Sequence, residues 1–466
     1  MVFKDLLGAP RSTAVGVHLV SGLLVAALVL VATTDERILT YVALGGAGAV
    51  AVFSVLGPER TGVLVLIAAY FTAPFYKGTA PNEASLATGT DGLLFLGLLL
   101  LLPRILRGRL RMPIIYWAGI ALVLTAGVVA SGAAADPRES FTSLAFWMVV
   151  MLGLPVAFAM WGPSMVVIDL LATSYIAGQI FSFAVGWAKG NIAQDRHAGL
   201  STHPNYFAQA SMLSIALLIY LAYRYFGKSF WLSVAWVAAA GACSAGVILS
   251  GSRAATLVVA VLILMVPIVE RSAFTGLLMA LCGALFVAGL PILADIAGEG
   301  SSIDRLTGGG GAQFSNSERE RGLRAGLDLF FEHPLRGTGL ITDNLYTIHN
   351  NYLEVAVAIG IFGFAGYLLV LYVFARPILG KGDTRRLTYC VWGYIGFGAT
   401  VPSLYDRSVW AVVVLSTVPV LQYWHRRVHG APDEPNDPDG SMGEFRSATG
   451  TKPGTLSAAS TASRKS

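Results

Sequence analysis

The sequence predicts an all-α polytopic integral membrane protein with about 12–14 transmembrane helices and one large polar loop that carries an amphipathic helix. The chain of 466 residues is 55% hydrophobic and 13% charged, with a mean hydropathy of +0.66. A soluble domain carries about 25% charged residues. Apolar runs of roughly 17–25 residues, the length that crosses a bilayer, follow one another to Gln422. A polar segment from Ala297 to His349 interrupts them.

About fourteen apolar runs are candidate transmembrane helices. The runs 62–76 and 91–103 are short, so twelve is the alternative count. The first run follows Lys4 and Arg11, is too long for the apolar region of a signal peptide and lacks a cleavage pattern, so we expect an uncleaved first helix. The candidate helices are 13–33, 38–56, 62–76, 91–103, 113–131, 141–161, 164–187, 205–223, 230–249, 253–269, 274–296, 350–374, 387–403 and 407–423.

The basic residues between these runs predict the orientation. With the N-terminus in the cytoplasm, the basic clusters fall on the cytoplasmic side, as the positive-inside rule requires. The polar loop 297–349 then lies on the outer, extracytoplasmic side of the membrane. The cytoplasmic turns contain Glu59-Arg60, Arg104 to Arg111, Arg224/Lys228, Glu270-Arg271, Arg376 to Arg386 and Arg426-Arg427.

The chain divides into three predicted regions: N-terminal transmembrane helices over 1–190, a catalytic transmembrane region over 191–424, and a cytoplasmic tail over 425–466. The tail is rich in Pro, Gly, Ser, Thr and Ala and lacks hydrophobic periodicity, which predicts disorder. The sequence contains no nucleotide-binding or metalloprotease motif, and its modest net charge of +5 shows no basic patch for nucleic acid. Three scattered cysteines predict neither a disulfide framework nor a metal site.

Three polar clusters fall on the predicted outer side, each at the start of a helix. The N-termini of helices attract phosphate through unpaired N–H groups and a partial positive charge. Arg196 and Arg253 add planar groups that can grip phosphate oxygens, so the pattern predicts an extracytoplasmic diphosphate site. The clusters are Asp195 to Gly199 with His203-Pro204-Asn205, Ser250 to Arg253, and His349 to Tyr352.

Each candidate residue also has a simpler interpretation. The simpler interpretation of Arg196 is a loop arginine paired with Asp195, and that of Arg253 is a side chain that extends towards the membrane interface. His203, directly before Pro204, is typical of turn chemistry, and the simpler interpretation of His349 is a cap of the following helix.

The polar loop contains a predicted amphipathic helix. Ser317 and Glu320 have the spacing of a capping box, and Pro334 ends the helix. Such a helix lies on the membrane surface or covers a cavity between helices. The simpler interpretation of Arg324 is an ion pair with Asp328, four residues later. The apolar face consists of Leu323, Leu327, Phe330 and Phe331.

Taken together, four phrases between residues 190 and 375 resemble the O-antigen ligase/polymerase superfamily. Each phrase is weak alone, but their order and predicted side are fairly specific. They are Arg196-His-Ala-Gly199 with His203-Pro-Asn-Tyr-Phe-Ala208, Leu249-Ser-Gly-Ser-Arg253, Arg324 with Phe331-Glu-His-Pro-Leu-Arg-Gly-Thr-Gly339, and His349-Asn-Asn-Tyr-Leu-Glu354 with Gly360-Ile-Phe-Gly363.

The resemblance implies a metal-independent membrane glycosyltransferase that needs no cofactor. Its donor would be a glycan on a polyprenyl diphosphate such as undecaprenyl diphosphate, and its acceptor a glycan, lipid or protein. It implies that Arg196 and Arg253 bind the donor diphosphate and that His349 is catalytic. We add Arg324, Asn350 and His203 as candidate substrate-binding residues.

The sequence leaves the acceptor open between a second lipid-linked repeat (a polymerase), a surface lipid or wall glycan (a ligase), and a protein. A transporter or flippase for lipid-linked glycans is the alternative from another functional class. It would place polar residues along the middle of the membrane. Asp169 is the main charged residue within a predicted span, and we expect it near the cytoplasmic end of its helix. A purely structural scaffold would leave the clustered arginines unexplained.

Overall fold

A computed structural model describes residues 37–79, 88–193, 196–298, 300–306, 312–341, 348–401 and 403–429. The chain divides into two units, Met1–Pro432 and Asp433–Ser466, and all described residues belong to the first. The candidate helix 13–33 and residues 430–466 of the predicted tail lie outside the described residues.

The described part is almost entirely helical, which confirms the predicted fold class. A two-stranded antiparallel hairpin, β1 (Ile192–Ala193) and β2 (Arg196–His197), is the sheet in this part of the chain. Short 3-10 turns span Ala73–Thr79, Arg376–Leu379, Asp383–Thr388 and Val414–Ser416, and Val149–Gly153 forms a π turn. The helices are α1 Arg37–Thr72, α2 Gly89–Ile105, α3 Ile114–Gly132, α4 Pro137–Met148, α5 Leu154–Trp161, α6 Met165–Ala188, α7 Pro204–Tyr225, α8 Phe230–Leu249, α9 Arg253–Glu270, α10 Ala273–Ala297, α11 Ser302–Leu306, α12 Ala312–Glu332, α13 Asn351–Ala375, α14 Tyr389–Gly398, α15 Arg407–Val413 and α16 Thr417–His429.

Eight helical stretches of the described residues are long and apolar enough to cross a membrane. They correspond to predicted spans, and most of their ends differ from the predicted ends by a few residues, whereas Ser54–Thr79 begins eight residues before the predicted helix 62–76. The remaining described candidates form α2, α10, α14 and the series α15–α16, at the predicted positions. The eight stretches are Ser54–Thr79, Ile114–Gly132, Pro137–Trp161, Met165–Ala188, Pro204–Tyr225, Phe230–Leu249, Arg253–Glu270 and Asn351–Leu379.

Two helices bend at a glycine with left-handed backbone geometry. In α1, Gly57 has φ +76° and precedes Pro58, so the separately predicted helices 38–56 and 62–76 continue into each other across a kink. In α13, Gly360 has φ +68°, and a Cβ there would lie 2.2 Å from the carbonyl oxygen of Leu335. Only glycine fits this approach of the preceding loop to the helix.

The loop that follows α12 packs against α13 at the bend at Gly360. The backbone N–H groups of Thr338 and Gly339 donate to the carbonyl oxygens of Val357 and Ala358, each at 2.9 Å. Ile361 donates in return to Pro334 at 2.8 Å. Residues 334–339 of the polar segment are therefore fixed to a membrane helix by backbone hydrogen bonds.

The centre of the helix bundle is α7, most of whose residues are buried. Its N-terminus lies at the same end of the bundle as those of α9 and α13, which we call the mouth end. At the opposite end, the Nε atom of Arg224 donates to Asp169 at 2.7 Å, and Tyr220 donates to the same carboxylate at 2.6 Å. Asp169 thus lies near the start of α6, as expected. Which end faces the cytoplasm stays a prediction.

The described part of the polar segment contains two helices rather than one. The short α11 precedes α12, which begins at Ala312, so Ser317 lies inside the helix and the predicted capping box is wrong. α12 faces α13 through Gly326, where a Cβ would lie 2.8 Å from the Leu353 side chain. The predicted apolar face is largely uncovered, because Leu323, Leu327 and Phe331 are 41%, 38% and 71% exposed.

Candidate active site at the mouth end of the bundle

The arginines and histidines predicted from the sequence largely converge at the mouth end. His203, the N-cap of α7, lies within electrostatic range of both Arg196 and His349. Arg253 is the first residue of α9, and His349 immediately precedes the N-cap of α13. Residues separated by more than a hundred positions in the chain therefore share one site.

Arg196 is held in the hairpin formed by β1 and β2, where it lies opposite Ala193. The residue is 7% exposed, and its Nη1 atom donates to the side-chain oxygen of Asn205 at 3.4 Å. Burial lowers its pKa to about 10, with a further contribution from Arg305 and Arg319. The guanidinium stays charged at neutral pH, at a cost in solvation that a bound anion would offset.

The turn at Gly251 positions two arginines. Gly251 has φ +66°, and a Cβ there would lie 2.5 Å from the Cδ atom of Arg196 and 2.3 Å from the carbonyl oxygen of Gly300. Its own carbonyl accepts a hydrogen bond from Nη1 of Arg305 at 3.0 Å. A glycine at this turn therefore lets Arg196 and Arg305 pack on the same peptide.

Arg253 connects a helix mouth to the polar segment. Ser252 is the N-cap of α9, as predicted, and its hydroxyl accepts from the backbone N–H of Ala255 at 3.4 Å. The Nη2 atom of Arg253 donates to the side-chain oxygen of Asn316 in α12 at 2.6 Å. Arg253 is therefore more than a side chain that extends towards the membrane interface, because it joins the start of α9 to α12 of the polar segment.

Two further arginines in the cluster, Arg305 and Arg319, were missed by the sequence analysis. Arg305 in α11 is 8% exposed. The pKa values of both are lowered by burial and, in each case, next by Arg253. The sequence offers no signal that separates them from Arg321, which is exposed on α12.

Arg324 does not share these contacts. Its side chain is 75% exposed, and its Nη2 atom lies 2.5 Å from a carboxylate oxygen of Glu320. The interpretation that Arg324 pairs with Asp328 is therefore wrong, because the partner is the residue four positions earlier. Its substrate-binding role stays a prediction.

His203 and Asn350 cap the helices that they precede. The Nδ1 atom of His203 accepts from the backbone N–H of Asn205 at 3.1 Å. The side-chain oxygen of Asn350 accepts from Tyr352 at 3.0 Å and from Leu353 at 3.1 Å. Burial, followed by the charge of Arg196, lowers the pKa of His203 to about 4, so the ring is neutral at neutral pH. Their predicted contacts with substrate remain predictions.

His349 adopts a backbone conformation that is rare outside glycine. Its φ is +54°, and the N-cap of the following helix is Asn350, so the capping role considered for His349 belongs to its neighbour. Burial lowers the pKa of His349, and the nearby Arg319 lowers it further, whereas Glu318 raises it. The neutral imidazole is favoured, and its strained backbone is typical of functional sites.

A second group of charges lies beside the site and is internally paired. The hydroxyl of Tyr76 donates to Asp406 at 2.5 Å, and the Nζ atom of Lys77 lies 3.9 Å from the same carboxylate oxygen. Lys77 also lies 3.5 Å from the ring centroid of Tyr206. Among the described residues, no group of three or more His, Cys, Asp or Glu side chains has the arrangement of a metal site.

Comparison with known proteins supports the resemblance found in the sequence. A family model described as O-Antigen ligase matches residues 238–368. The matched stretch includes Arg253, both arginines that were missed, and His349, and it ends before the bundle's last helices. Arg196 and His203 precede it. A comparison with curated proteins gave no match. This match over residues 238–368 supports membership of the O-antigen ligase superfamily.

Proposed function

We propose that this protein transfers a glycan from a polyprenyl-diphosphate carrier to an acceptor hydroxyl at the extracytoplasmic face of a bacterial plasma membrane. The observation that carries the proposal is the arginine cluster around Arg196 and Arg253, beside His349 at three helix mouths. Glycan transfer of the ligase or polymerase type agrees with the superfamily.

The donor diphosphate binds to Arg196 and Arg253. When the bond between the sugar and the diphosphate breaks, negative charge develops on the departing phosphate oxygens. Two guanidinium groups and the N-termini of α7 and α9 stabilise that charge. The polyprenyl chain lies along the apolar exterior of the bundle, so the diphosphate reaches the mouth end without leaving the membrane surface.

His349 acts as the general base. The acceptor oxygen attacks the anomeric carbon of the sugar, its proton passes to a ring nitrogen of His349, and the polyprenyl diphosphate leaves with the bonding electron pair. A neutral imidazole is required, and both burial and Arg319 favour it. No metal or cofactor takes part in this step. Asn350 and His203 cap the helix N-termini at which the substrates bind.

A deletion strain tests the reaction class. Lipids extracted from the strain should accumulate the lipid-linked glycan, and the wild-type gene should restore transfer, whereas His349→Ala should not. Single repeats on the carrier identify a polymerase, and long chains on the carrier identify a ligase. Lipid-linked glycan that accumulates only on the cytoplasmic face would instead identify a flippase and overturn the proposal.

Cysteine labelling tests the location. Gln313 is exposed on α12 and Lys381 is exposed at the opposite end of the bundle, whereas the native Cys243 and Cys390 are buried. A membrane-impermeant maleimide should label Gln313→Cys on intact cells and Lys381→Cys only after permeabilisation. The reverse pattern would place the site in the cytoplasm.

A further inference from the structure

The turn that joins α2 to α3, residues 106–113, lies at the end of the bundle opposite the mouths. At the start of α2, the hydroxyl of Thr90 donates to that of Thr72 at 2.9 Å. Thr72 directly precedes the 3-10 turn that carries Lys77 beside the candidate active site. From there α2 runs for 17 residues to Ile105, a length of about 25 Å. The turn therefore lies across the membrane from the arginine cluster of the mouths.

The backbone of this turn is held against the end of α5. Gly108 lies so close to α5 that an added Cβ would be 1.8 Å from the carbonyl oxygen of Met160. The N–H group of Gly108 donates to the carbonyl oxygen of Ile105 at 2.9 Å, and Met112, near the other end of the turn, is buried. The packing of the backbone thus decides which side chains of the turn point away from the bundle.

Three apolar side chains point away from the bundle at this turn. Leu106, Leu110 and Ile114, the first residue of α3, are exposed. They continue a row of exposed leucines on α2 that includes Leu99 and Leu102. Because α2 and α3 are predicted membrane helices, their exposed apolar side chains face lipid. An apolar surface that continues from both helices places the turn at the boundary between the hydrocarbon and the headgroups of the bilayer.

Two exposed arginines, Arg107 and Arg109, lie between these leucines. Among the described residues, neither of them forms a salt bridge. The described carboxylates at this end of the bundle are each in an ion pair with another arginine. Within this part of the chain, the charge of Arg107 and Arg109 is therefore available to an external partner. The ion pairs are Glu59 with Arg104, Asp169 with Arg224, Glu270 with Arg385 and Arg386, and Asp383 with Arg386.

An anionic phospholipid matches this combination of charge, apolar surface and depth. Its phosphate lies in the headgroup layer, where a guanidinium group can bind two phosphate oxygens at once. Its acyl chains lie directly below, against Leu106 and Leu110. A basic side chain beside an anionic leaflet gains about fivefold in affinity. A soluble acidic protein fits less well, because it would have to cover leucines that face the bilayer.

We propose that the turn 106–113 is a binding site for an anionic phospholipid, with Arg107 and Arg109 on the phosphate and the flanking leucines against the acyl chains. The paired Arg104, one helical turn earlier, lies outside the site because Glu59 holds its guanidinium group. The site is independent of the proposed glycan transfer. Bound lipid at this turn sets the depth of α2 and α3 in the membrane.

Titration of the purified full chain in detergent with lipid, followed by native mass spectrometry, tests the proposal. Dioleoyl phosphatidylglycerol should bind the wild type more tightly than dioleoyl phosphatidylcholine, which has the same acyl chains and no net charge. Arg107→Gln and Arg109→Gln should each weaken binding of phosphatidylglycerol about fivefold, and the double variant should weaken it about tenfold or more. Wild-type binding of phosphatidylglycerol by the double variant would overturn the proposal.

Arg321→Gln is the matched control, because Arg321 is exposed on α12 at the mouth end and its Nε atom donates to the backbone of the same helix at Ser317. The substitution removes one positive charge and should leave the binding of both lipids as in the wild type. An equal loss of phosphatidylglycerol in Arg321→Gln would show that the net charge of the protein governs binding, and the site would be refuted.

A further comparison separates the lipid from a free phosphate. Glycerol 3-phosphate carries a phosphate without acyl chains and should not displace phosphatidylglycerol, whereas the double variant Leu106→Ser and Leu110→Ser should bind this lipid more weakly. Phosphatidylglycerol should also raise the melting temperature of the wild type more than phosphatidylcholine does, and the double arginine variant should lose this difference. Displacement by glycerol 3-phosphate would contradict the assignment of a lipid.

Discussion

The arginines at the two ends of the helix bundle differ in the partners of their guanidinium groups. At the end opposite the mouths, the carboxylate of Glu270 accepts from Arg386 through two nitrogens, at 2.8 and 2.7 Å, and from Arg385 at 2.8 Å. Arg224 is likewise bonded to Asp169. At the mouth end, Arg305 and Arg319 lie beside other arginines and are in no salt bridge with described residues.

This difference separates structural arginines from functional ones. A paired arginine fixes the ends of helices and has its charge neutralised by the protein itself. A group of arginines that repel one another lowers stability and is retained where a ligand supplies the opposite charge. This contrast supports the proposed anion binding at the mouth end and identifies the opposite end as a structural clamp, and five substitutions examine that division.

The largest effect is expected from His349. His349→Ala should keep the protein folded and able to bind donor but lower the rate of glycan transfer by about 10²–10⁴-fold, the usual contribution of a general acid–base group. Transfer is measured with purified chain and lipid-linked glycan, and membrane content is checked by immunoblot. His333→Ala, in the loop after α12, should stay close to the wild type. Near-normal turnover in His349→Ala would remove the base from the mechanism.

Loss of a carboxylate at the clamp should lower stability rather than transfer chemistry. Glu270→Gln leaves two mostly buried arginines without their shared partner, and we expect the free energy of unfolding to fall by about 3–5 kcal/mol. Glu320→Gln, in an exposed pair, should cost about 1 kcal/mol or less. Both are compared by denaturant unfolding in detergent.

The same measurement on Arg253→Gln sharpens the comparison, since removing one of several repelling arginines should leave stability unchanged or raise it. If Arg253→Gln destabilised the chain as strongly as Glu270→Gln, the two ends would not differ in the way described.

A smaller effect is expected when Arg253 is changed to lysine. An ammonium group retains the charge but cannot reproduce the planar donors of the guanidinium, so we expect Arg253→Lys to reduce kcat/KM for the donor by about 10–100-fold, the equivalent of one or two charged hydrogen bonds. Arg321→Lys should have no effect. Full activity in Arg253→Lys would mean that positive charge alone suffices at this position.

The smallest effect concerns pH and His203. Its pKa is about 4 in the folded chain and about 6.5 when unfolded, so the unfolded state binds more protons between these values. The contribution of this group to stability is therefore complete above pH 6.5 or so and falls as pH drops towards 4. His203→Asn keeps a capping acceptor but does not titrate. Its melting temperature should decline less than that of the wild type over this window, and equal declines would assign the pH dependence to other groups.

The fold was predictable from sequence because the spans are set by apolar length, a one-dimensional property. Helices such as α8 begin and end at the predicted residues. The sequence could not distinguish a kink at Gly57 from a loop between two helices, because a Gly-Pro pair usually ends a helix. Only the packing of the folded chain lets the helix continue through this position. The start of α12 was placed too late, since a capping pattern inside a longer helix looks the same as one at its end.

The site was predictable where charge interrupts an apolar run and obscure where the surroundings are polar. Arg253 lies at the start of an apolar helix, where a charged side chain is costly in free energy, so the sequence identified it as a candidate site residue. Arg305 and Arg319 stand among other charged residues, where an arginine is expected by default. The burial of Arg305 and the closeness of both residues to Arg253 are properties of the folded chain alone.

Because the loop 334–339 is docked on the bend of α13, we expect the parts of the polar segment before and after this loop to differ in how well they tolerate insertions. Backbone hydrogen bonds from Thr338 and Gly339 fix the chain ten residues before His349. Insertions near Gly309, before α12, lengthen a connection whose closure entropy grows slowly with length. Insertions between Gly339 and His349 instead lengthen the connection between the docked loop and the proposed base. Homologues should therefore vary in length before α12 and keep a constant spacing after it.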